Sequence, residues 1–294
     1  MSADIAAALL KRHKAAVEAA FDRLLPSADR RASIVVEAMS YSFKAGGKRL
    51  RPAFVLATAE ALGGELSNVL PAAVAIEMIH TYSLIHDDLP CMDDDDLRRG
   101  QPTCHKKFSE DIAVLAGDAL SNAAFFVIAE HTRDKDLVAP LVRELAYAAG
   151  TEGMIGGQIL DVLSEGEKPD LDVVRAIHRM KTAALIRGSI LMGAAGSRAS
   201  QAAVERLGRF GAAVGQAFQI VDDILDEESD SATLGKTAGK DKAQQKMTYP
   251  AVLGIEKSRA EADRLIADGL DALQGLDPKG ELRALARFIC ARNS

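Results

Sequence analysis

The 294-residue chain has only three cysteines, Cys91, Cys104 and Cys290. That number cannot close a disulfide framework, and the spacing matches no zinc site, so reduced cytosolic thiols are expected. No uninterrupted apolar run approaches the ~20 residues needed to cross a bilayer. The opening stretch MSADIAAALLKRHKAAVEAAFDRLL carries charges at helical spacing and has no unbroken apolar core, which argues against a secretory signal peptide. The expected location is the cytoplasm. Period-2 alternation is scarce and no hairpin signal stands between alternating runs, so little sheet is expected. There is no proline- or serine-rich linker and no abrupt shift of composition, which favours one domain over residues 1–294. Basic residues number 36 against 42 acidic, a net charge of −6, which makes general nucleic-acid binding a poor fit and leaves room only for a local basic site.

What is present is helical periodicity. In residues 3–25, Ile5, Leu9, Leu10, Val17, Ala20 and Leu24 share one side. Comparable patterns recur near 32–43, 50–62, 67–88, 108–131, 136–163, 170–195, 201–227, 243–274 and 279–292. Alanine, the best helix former, is abundant. Several of these helices are apolar around most of their circumference, as in AVLAGDALSNAAFFVIA (113–129), and belong in the middle of a bundle. The fold class is all-α throughout, a single large helical bundle. Polar segments interrupt it at 44–49, 89–107 and 228–242; they read either as solvated connections or as mobile lids over a site.

Two of the apolar helices end in carboxylates. The first runs into His86-Asp87-Asp88 and, after Leu-Pro-Cys-Met, Asp93 to Asp96. Pro90 breaks the helix and lets Asp93 swing back toward Asp87. The second ends in Gln219-Ile-Val-Asp222-Asp223-Ile-Leu-Asp226, with Asp222 and Asp226 at i, i+4 and Asp223 and Asp226 at i, i+3, so that all three can lie on or near one face. Either cluster alone reads equally as a solvated acidic turn. Two of them, each at the polar end of a buried helix and each followed by a basic, glycine-containing loop, fit Mg²⁺ shared with substrate phosphates. An EF-hand is excluded because no Asp-x-Asp-x-Asp-Gly run with a closing Glu occurs, and Gly235-Lys236-Thr237 lacks the upstream glycine of a phosphate-binding P-loop.

Cations accompany the acids. Gly46-Gly47-Lys48-Arg49-Leu50-Arg51-Pro52 places three around a glycine turn that leads into a helix, an arrangement suited to phosphate. Arg98 and Arg99 follow the first acidic cluster, Lys181-Thr182 lies in a long helical stretch, and Lys236 and Lys240 lie in the second polar loop. Each lysine alone reads as a solvated surface residue. His80, two turns before Asp87, reads alone as a core histidine. No Ser-His-Asp or Cys-His arrangement is evident.

The stretches GGKRLRP (46–52), EMIHTYSLIHDDLPCMDDDDLRRGQPT (77–103), LAGDAL (115–120), GGQILD (156–161), MKTAALI (180–186), GQAFQIVDDILD (215–226) and GKTAGKD (235–241) resemble the short-chain trans-polyprenyl diphosphate synthases, bacterial farnesyl diphosphate synthases above all. The resemblance implies an all-helical fold around a deep central cavity, with the two Asp-rich motifs on facing helices, and a homodimer. It implies that Asp87, Asp88 and Asp93 on one side, and Asp222 with Asp226 on the other, hold three Mg²⁺ on an allylic diphosphate clamped by Arg98, Lys181, Lys236 and Lys240. Lys48, Arg51, His80 and Arg99 would bind the diphosphate of isopentenyl diphosphate without metal. Thr182 and Gln219 would point oxygens at the developing allylic cation. The allylic C–O bond ionises as charge on the leaving diphosphate is stabilised, the isopentenyl alkene attacks, and the departed diphosphate takes the final proton.

Chain length is expected to be set by Tyr82 and Ser83, five and four residues before Asp87. A bulky Tyr82 about one turn below the metal site stops growth at C15, the product of dimethylallyl and then geranyl diphosphate; the bland reading is that Tyr82 only packs in the core. The alternatives are a C20-forming geranylgeranyl synthase, a class I terpene cyclase, whose second metal motif is usually an Asn/Ser/Glu pattern, and a non-catalytic synthase subunit, which tends to lose one acidic motif. Arg292 either closes over the site or lies in solvent.

Overall fold

The computed structural model describes residues 2–228 and 247–290. Helices account for most of it. In chain order they are α1 (Ser2–Leu24), α2 (Ser33–Lys44), α3 (Leu50–Ala61), α4 (Leu66–Asp87), α5 (Cys104–Lys107), α6 (Glu110–His131), α7 (Val138–Ala149), α8 (Met154–Leu163), α9 (Leu171–Ile177), α10 (Ala184–Gly196), α11 (Gln201–Glu228), α12 (Tyr249–Leu253), α13 (Ile255–Ala272) and α14 (Glu281–Cys290). The all-α expectation holds, with one departure. A two-stranded antiparallel ribbon, β1 (Leu97–Arg98) and β2 (Gln101–Pro102), pairs Leu97 with Pro102 and Arg98 with Gln101. Its turn uses positive φ at Arg99 and Gly100, and two residues per strand leave no alternation to read.

α4 is the centre of the bundle. Val69, Ala72, Ala73, Val74, Ala75, Ile76, Met78 and Ile79 are fully buried, so the helix is apolar all round because it has neighbours all round. It packs against α3 and α6. The side chains of α1, α2, α4, α6 and α7 build one core cluster, and those of α3, α10, α11 and α14 build a second with the start of α1. A third lies between α9, α11, α12 and α13. α4 and α6, at 22 residues each, are long and apolar enough to cross a membrane by length and mean hydropathy alone. In α4 that apolar character is spent on packing, since 72% of its most apolar window is buried.

Several expected long helices are broken. The pattern over 136–163 divides between α7 and α8 at Gly150 and Gly153. The pattern over 243–274 divides at Gly254, where φ is 78°. α9 starts at Asp170, whose carboxylate accepts from the Asp172 and Val173 amides at 2.8 and 3.1 Å. It then passes into a π-turn, His178–Ala183, before α10 begins. Such wide turns recur at functional sites because the extra residue re-aims side chains.

Candidate active site

The end of α4 behaves as its proline requires. The helix stops at Asp87, and the chain curls back so that the Asp93 amide donates to the Asp87 carbonyl at 2.8 Å and the Asp95 amide to the Asp88 carbonyl at 3.2 Å. Asp93 is thereby returned to Asp87, as expected. Burial pushes the Asp87 carboxyl up to about 6, against the pull of Lys181, and the like charges of Asp93 and Asp88 add to the rise. Asp88 is 3% exposed and accepts from Arg98 Nε at 2.8 and 2.9 Å and from Arg98 Nη2 at 2.5 Å. Both of its oxygens are therefore engaged by one guanidinium. Among the described residues, the metal-capable groups with ligand atoms within 4.8 Å of one another are Asp94, Asp96 and His105, at the outer edge of the loop. Asp96 there already meets Lys106 at 2.8 Å.

The glycine turn before α3 is shaped by an arginine the sequence offered as one more phosphate ligand. Gly46 and Gly47 have φ of 98° and 112°, and Arg49, at the start of α3, has φ of 53°. Arg49 is 2% exposed. Its guanidinium lies over the Phe43 ring, donates to the Phe43 carbonyl, and reaches the Gly46 carbonyl at 2.9 Å, Glu77 at 3.0 Å and Glu18 at 3.1 Å. Arg49 thus holds the turn from beneath. A side chain on Gly47 would place its Cβ 2.8 Å from Arg99 Nη1, and Arg99 also donates to the Gly46 carbonyl.

Above that turn His80, half-buried, keeps its pKa well below the usual histidine value, through burial and then through Arg51, Arg99, Arg98 and Arg49. The imidazole and the surrounding guanidiniums lie beside Glu77, a buried carboxylate that is 3% exposed. Burial also lowers the Arg51 and Arg99 pKa values, and Glu77 opposes the shift in both. His80, Arg98 and Arg99 line one cleft with Glu77, Tyr41 and Cys104. Lys48 is exposed, its ammonium 5.2 Å from the Phe288 ring centroid on α14. Asp222 acts electrostatically on Arg51, and Lys181 on Asp87, so the two acidic helix ends address one set of cations. Asp222 is half-buried and Asp226 exposed.

The π-turn presents Lys181 and Thr182 to the other side. Lys181 Nζ meets Asp161 Oδ2 at 2.5 Å, and Gly157 lets α8 approach so closely that a Cβ there would lie 2.1 Å from the Lys181 nitrogen. Thr182 Oγ1 donates to Gln219 Oε1 at 2.6 Å. Gln219 Nε2 donates to Asp223 Oδ1 at 3.0 Å, and the Tyr249 amide donates to Asp223 Oδ2 at 3.0 Å. The Gln219 oxygen accepts the Thr182 proton and keeps a second lone pair. One expectation changes here. Asp223 does not share a face with Asp222 and Asp226: it is 6% exposed and turned inward.

Tyr82 is 9% exposed, with its ring edge-to-face on His86 at 5.6 Å between centroids. Burial, Asp87 and Asp118 push its phenol up to about 12. The Ser83 hydroxyl donates to the His80 carbonyl at 2.9 Å. Lys236, Lys240 and Arg292 lie outside the described residues. Arg49, Glu77, Asp161 and His178 were not among the expected site residues; Arg49, Glu77 and Asp161 fall in the quoted GGKRLRP, EMIHTYS and GGQILD stretches, and His178, which meets Asp223 at 3.2 Å, falls in none.

A family model for polyprenyl synthetase matches residues 32–275. The large subunit 1 of a chloroplastic heterodimeric geranylgeranyl pyrophosphate synthase from Arabidopsis thaliana is 51% identical over 268 residues, covering 88% of this chain and 72% of its own. Farnesyl diphosphate synthase of Escherichia coli is 48% identical over 270 residues, covering 88% of this chain and 89% of its own. Among solved structures, a geranyltransferase from Helicobacter pylori complexed with magnesium and isoprenyl diphosphate superposes with a TM-score of 0.83 at 33% identity, covering 97% of this chain and 95% of its own. With its two aspartate-ended helices facing one set of cations, this chain belongs to the polyprenyl synthetase family and is a prenyltransferase.

Proposed function

We propose that the chain condenses isopentenyl diphosphate head-to-tail with dimethylallyl and then geranyl diphosphate, releasing farnesyl diphosphate. The convergence of Asp87, Lys181, Arg98 and Asp222 carries the chemical reading, because an allylic diphosphate leaves only where several cations receive its charge. The His80, Arg51, Arg99 and Lys48 cluster suits the second, metal-free diphosphate. Relatives named for both C15 and C20 products resemble this chain, so the C15 assignment rests on Tyr82, a buried aromatic about one turn below Asp87.

The donor set fits Mg²⁺. Asp87 is a carboxylate held above its ordinary pKa by burial and by neighbouring anions, a condition that a hard cation relieves. Asp87 and Asp93 on one side, with Asp222 and Asp226 on the other, would hold it, with three ions per site. When bound, it supplies charge neutralisation to the departing diphosphate. Asp88, the other carboxylate of the first motif, would join Asp87 and Asp93 and also orients Arg98 through their bidentate pair. Arg98 and Lys181, aided by Lys236 and Lys240, grip the leaving group. Thr182 and Gln219 face the cation, and apolar helix walls keep water from it.

The proposal treats residues 1–294 as one domain acting in the cytoplasm as a homodimer. Three cysteines, none in a disulfide, suit that compartment. Exposed apolar stripes on α6 (Val114, Leu115, Phe126) and α8 (Ile155, Ile159, Leu163) suit burial against a second copy. The purified chain alone, given isopentenyl and geranyl diphosphates, is expected to condense them with Mg²⁺ and not with EDTA, and to sediment as a two-chain particle. Folded protein that consumes geranyl diphosphate without condensing it would favour the cyclase reading. Turnover appearing only on adding a second protein would favour the subunit reading.

A further inference from the structure

The Asp223 carboxylate is buried, 6% exposed, with three donors around it. Gln219 Nε2 lies at 3.0 Å from Oδ1, and the Tyr249 amide at 3.0 Å and His178 Nε2 at 3.2 Å from Oδ2. The His178 ring is itself held against Tyr249, with ring centroids 5.1 Å apart. A carboxylate only accepts, so the end of the Gln219 amide that faces Asp223 has to be its NH₂. The opposite end, Oε1, then faces Thr182, and an acceptor there commits the Thr182 hydroxyl proton to it at 2.6 Å. What remains on Thr182 Oγ1 is lone pairs.

We propose that Asp223, seated by His178 and the Tyr249 amide, is a positioning residue that fixes the polarity of the Gln219–Thr182 pair, so that Thr182 turns a lone pair, and not a proton, toward the allylic cation. The inference deepens the proposed function and rests on it. It separates the adjacent aspartates of the second motif: Asp222 faces the cations of the site, and Asp223 faces inward and acts through two side chains. Electrostatic preorganisation of this kind works because the dipole is set before charge develops.

Asp223→Asn tests it at constant shape. The Tyr249 amide can only donate, so the new side-chain oxygen turns to Tyr249 and the new NH₂ turns to Gln219. Gln219 then flips, its NH₂ meets Thr182, and the hydroxyl proton is freed toward the cavity. The expected result is a ~10²-fold loss of kcat, with both KM values and the Mg²⁺ half-saturation within twofold of wild type. On a Thr182→Val background the same change is expected to cost no more than twofold further, because the hydroxyl it acts through is gone. Should Asp223→Asn not fold, His178→Phe keeps the ring beside Tyr249, removes the donor to Oδ2, and is expected to lose three- to tenfold in kcat with the same dependence on Thr182. A kcat within twofold of wild type overturns the inference. A tenfold rise in the Mg²⁺ requirement makes Asp223 a metal ligand instead. Full additivity with Thr182→Val reduces it to a structural role. Absence of condensation by the wild-type protein in the same assay removes the proposed function itself.

Discussion

Asp87→Asn is expected to reduce condensation at least ~10³-fold and, in EDTA at neutral pH, to raise the thermal midpoint of the protein. Both effects come from one feature. The carboxyl is pushed up to about 6 from its ordinary value of 3.8, chiefly by burial, so the folded chain binds this proton more tightly than the unfolded chain does. The ionised group therefore opposes folding fully above pH 6, and the penalty disappears as pH falls toward 4. Two pKa units correspond to roughly 3 kcal/mol at most, and water at the half-exposed mouth of the site lowers that to about 1–2 kcal/mol. For a chain of this size, that amounts to a rise of a few degrees. The neutral amide removes the penalty and also the anionic oxygen that suits a divalent cation. Calorimetry of wild type and variant in EDTA at pH 7.5 and pH 4.5 checks the sign: the gain should be full at the first pH and cut to roughly a third at the second. Equal midpoints at both, or activity retained, would remove Asp87 from the place given to it.

Tyr82→Ala is expected to lengthen the product, shifting the major species from C15 to C20 or beyond. The Tyr82 ring is buried on α4, against His86 and within the electrostatic reach of Asp118 on α6. Truncating an aromatic in such a place leaves a cavity that ordinarily costs about 3–5 kcal/mol. A prenyl chain growing down from Asp87 can fill it, so part of that cost returns as affinity for longer chains. His86 limits the alternative in which neighbours collapse into the space. Its ring is held by a 3.1 Å contact to the Val114 carbonyl and fits only because residue 117 is glycine, where a Cβ would come within 2.2 Å of it. Product sizing by mass spectrometry reads the result. Unchanged C15 would leave Tyr82 as a core residue with no part in chain length.

The helices were legible because periodicity survives in single-sequence form, and α1, α3, α4, α6 and α11 match their expected spans within a few residues. The breaks were less legible. Gly150, Gly153 and Gly254 end helices through backbone conformation, while an apolar pattern runs past them unbroken. The π-turn at 178–183 shifts Lys181 and Thr182 around the axis by one inserted residue, which no spacing rule anticipates. In the site, the return of Asp93 to Asp87 followed from Pro90 and local chain geometry. Spacing also put Asp222, Asp223 and Asp226 on or near one face. What separates them is tertiary: the Tyr249 amide, 26 residues on, and His178, on another helix, claim Asp223. Arg49 was invisible for a similar reason. Within GGKRLRP it is one cation among three, and only Glu77 and Glu18, from two other helices, reveal that it is committed inward.

The most direct measurement of the central claim is the length of the prenyl chain made by the purified protein from dimethylallyl diphosphate, excess isopentenyl diphosphate and Mg²⁺. The account predicts farnesyl diphosphate as the dominant product, with geranyl diphosphate as a transient. A dominant C20 product would contradict the placing of Tyr82 as the floor while leaving the chemistry intact, and no condensation at all would contradict the account as a whole.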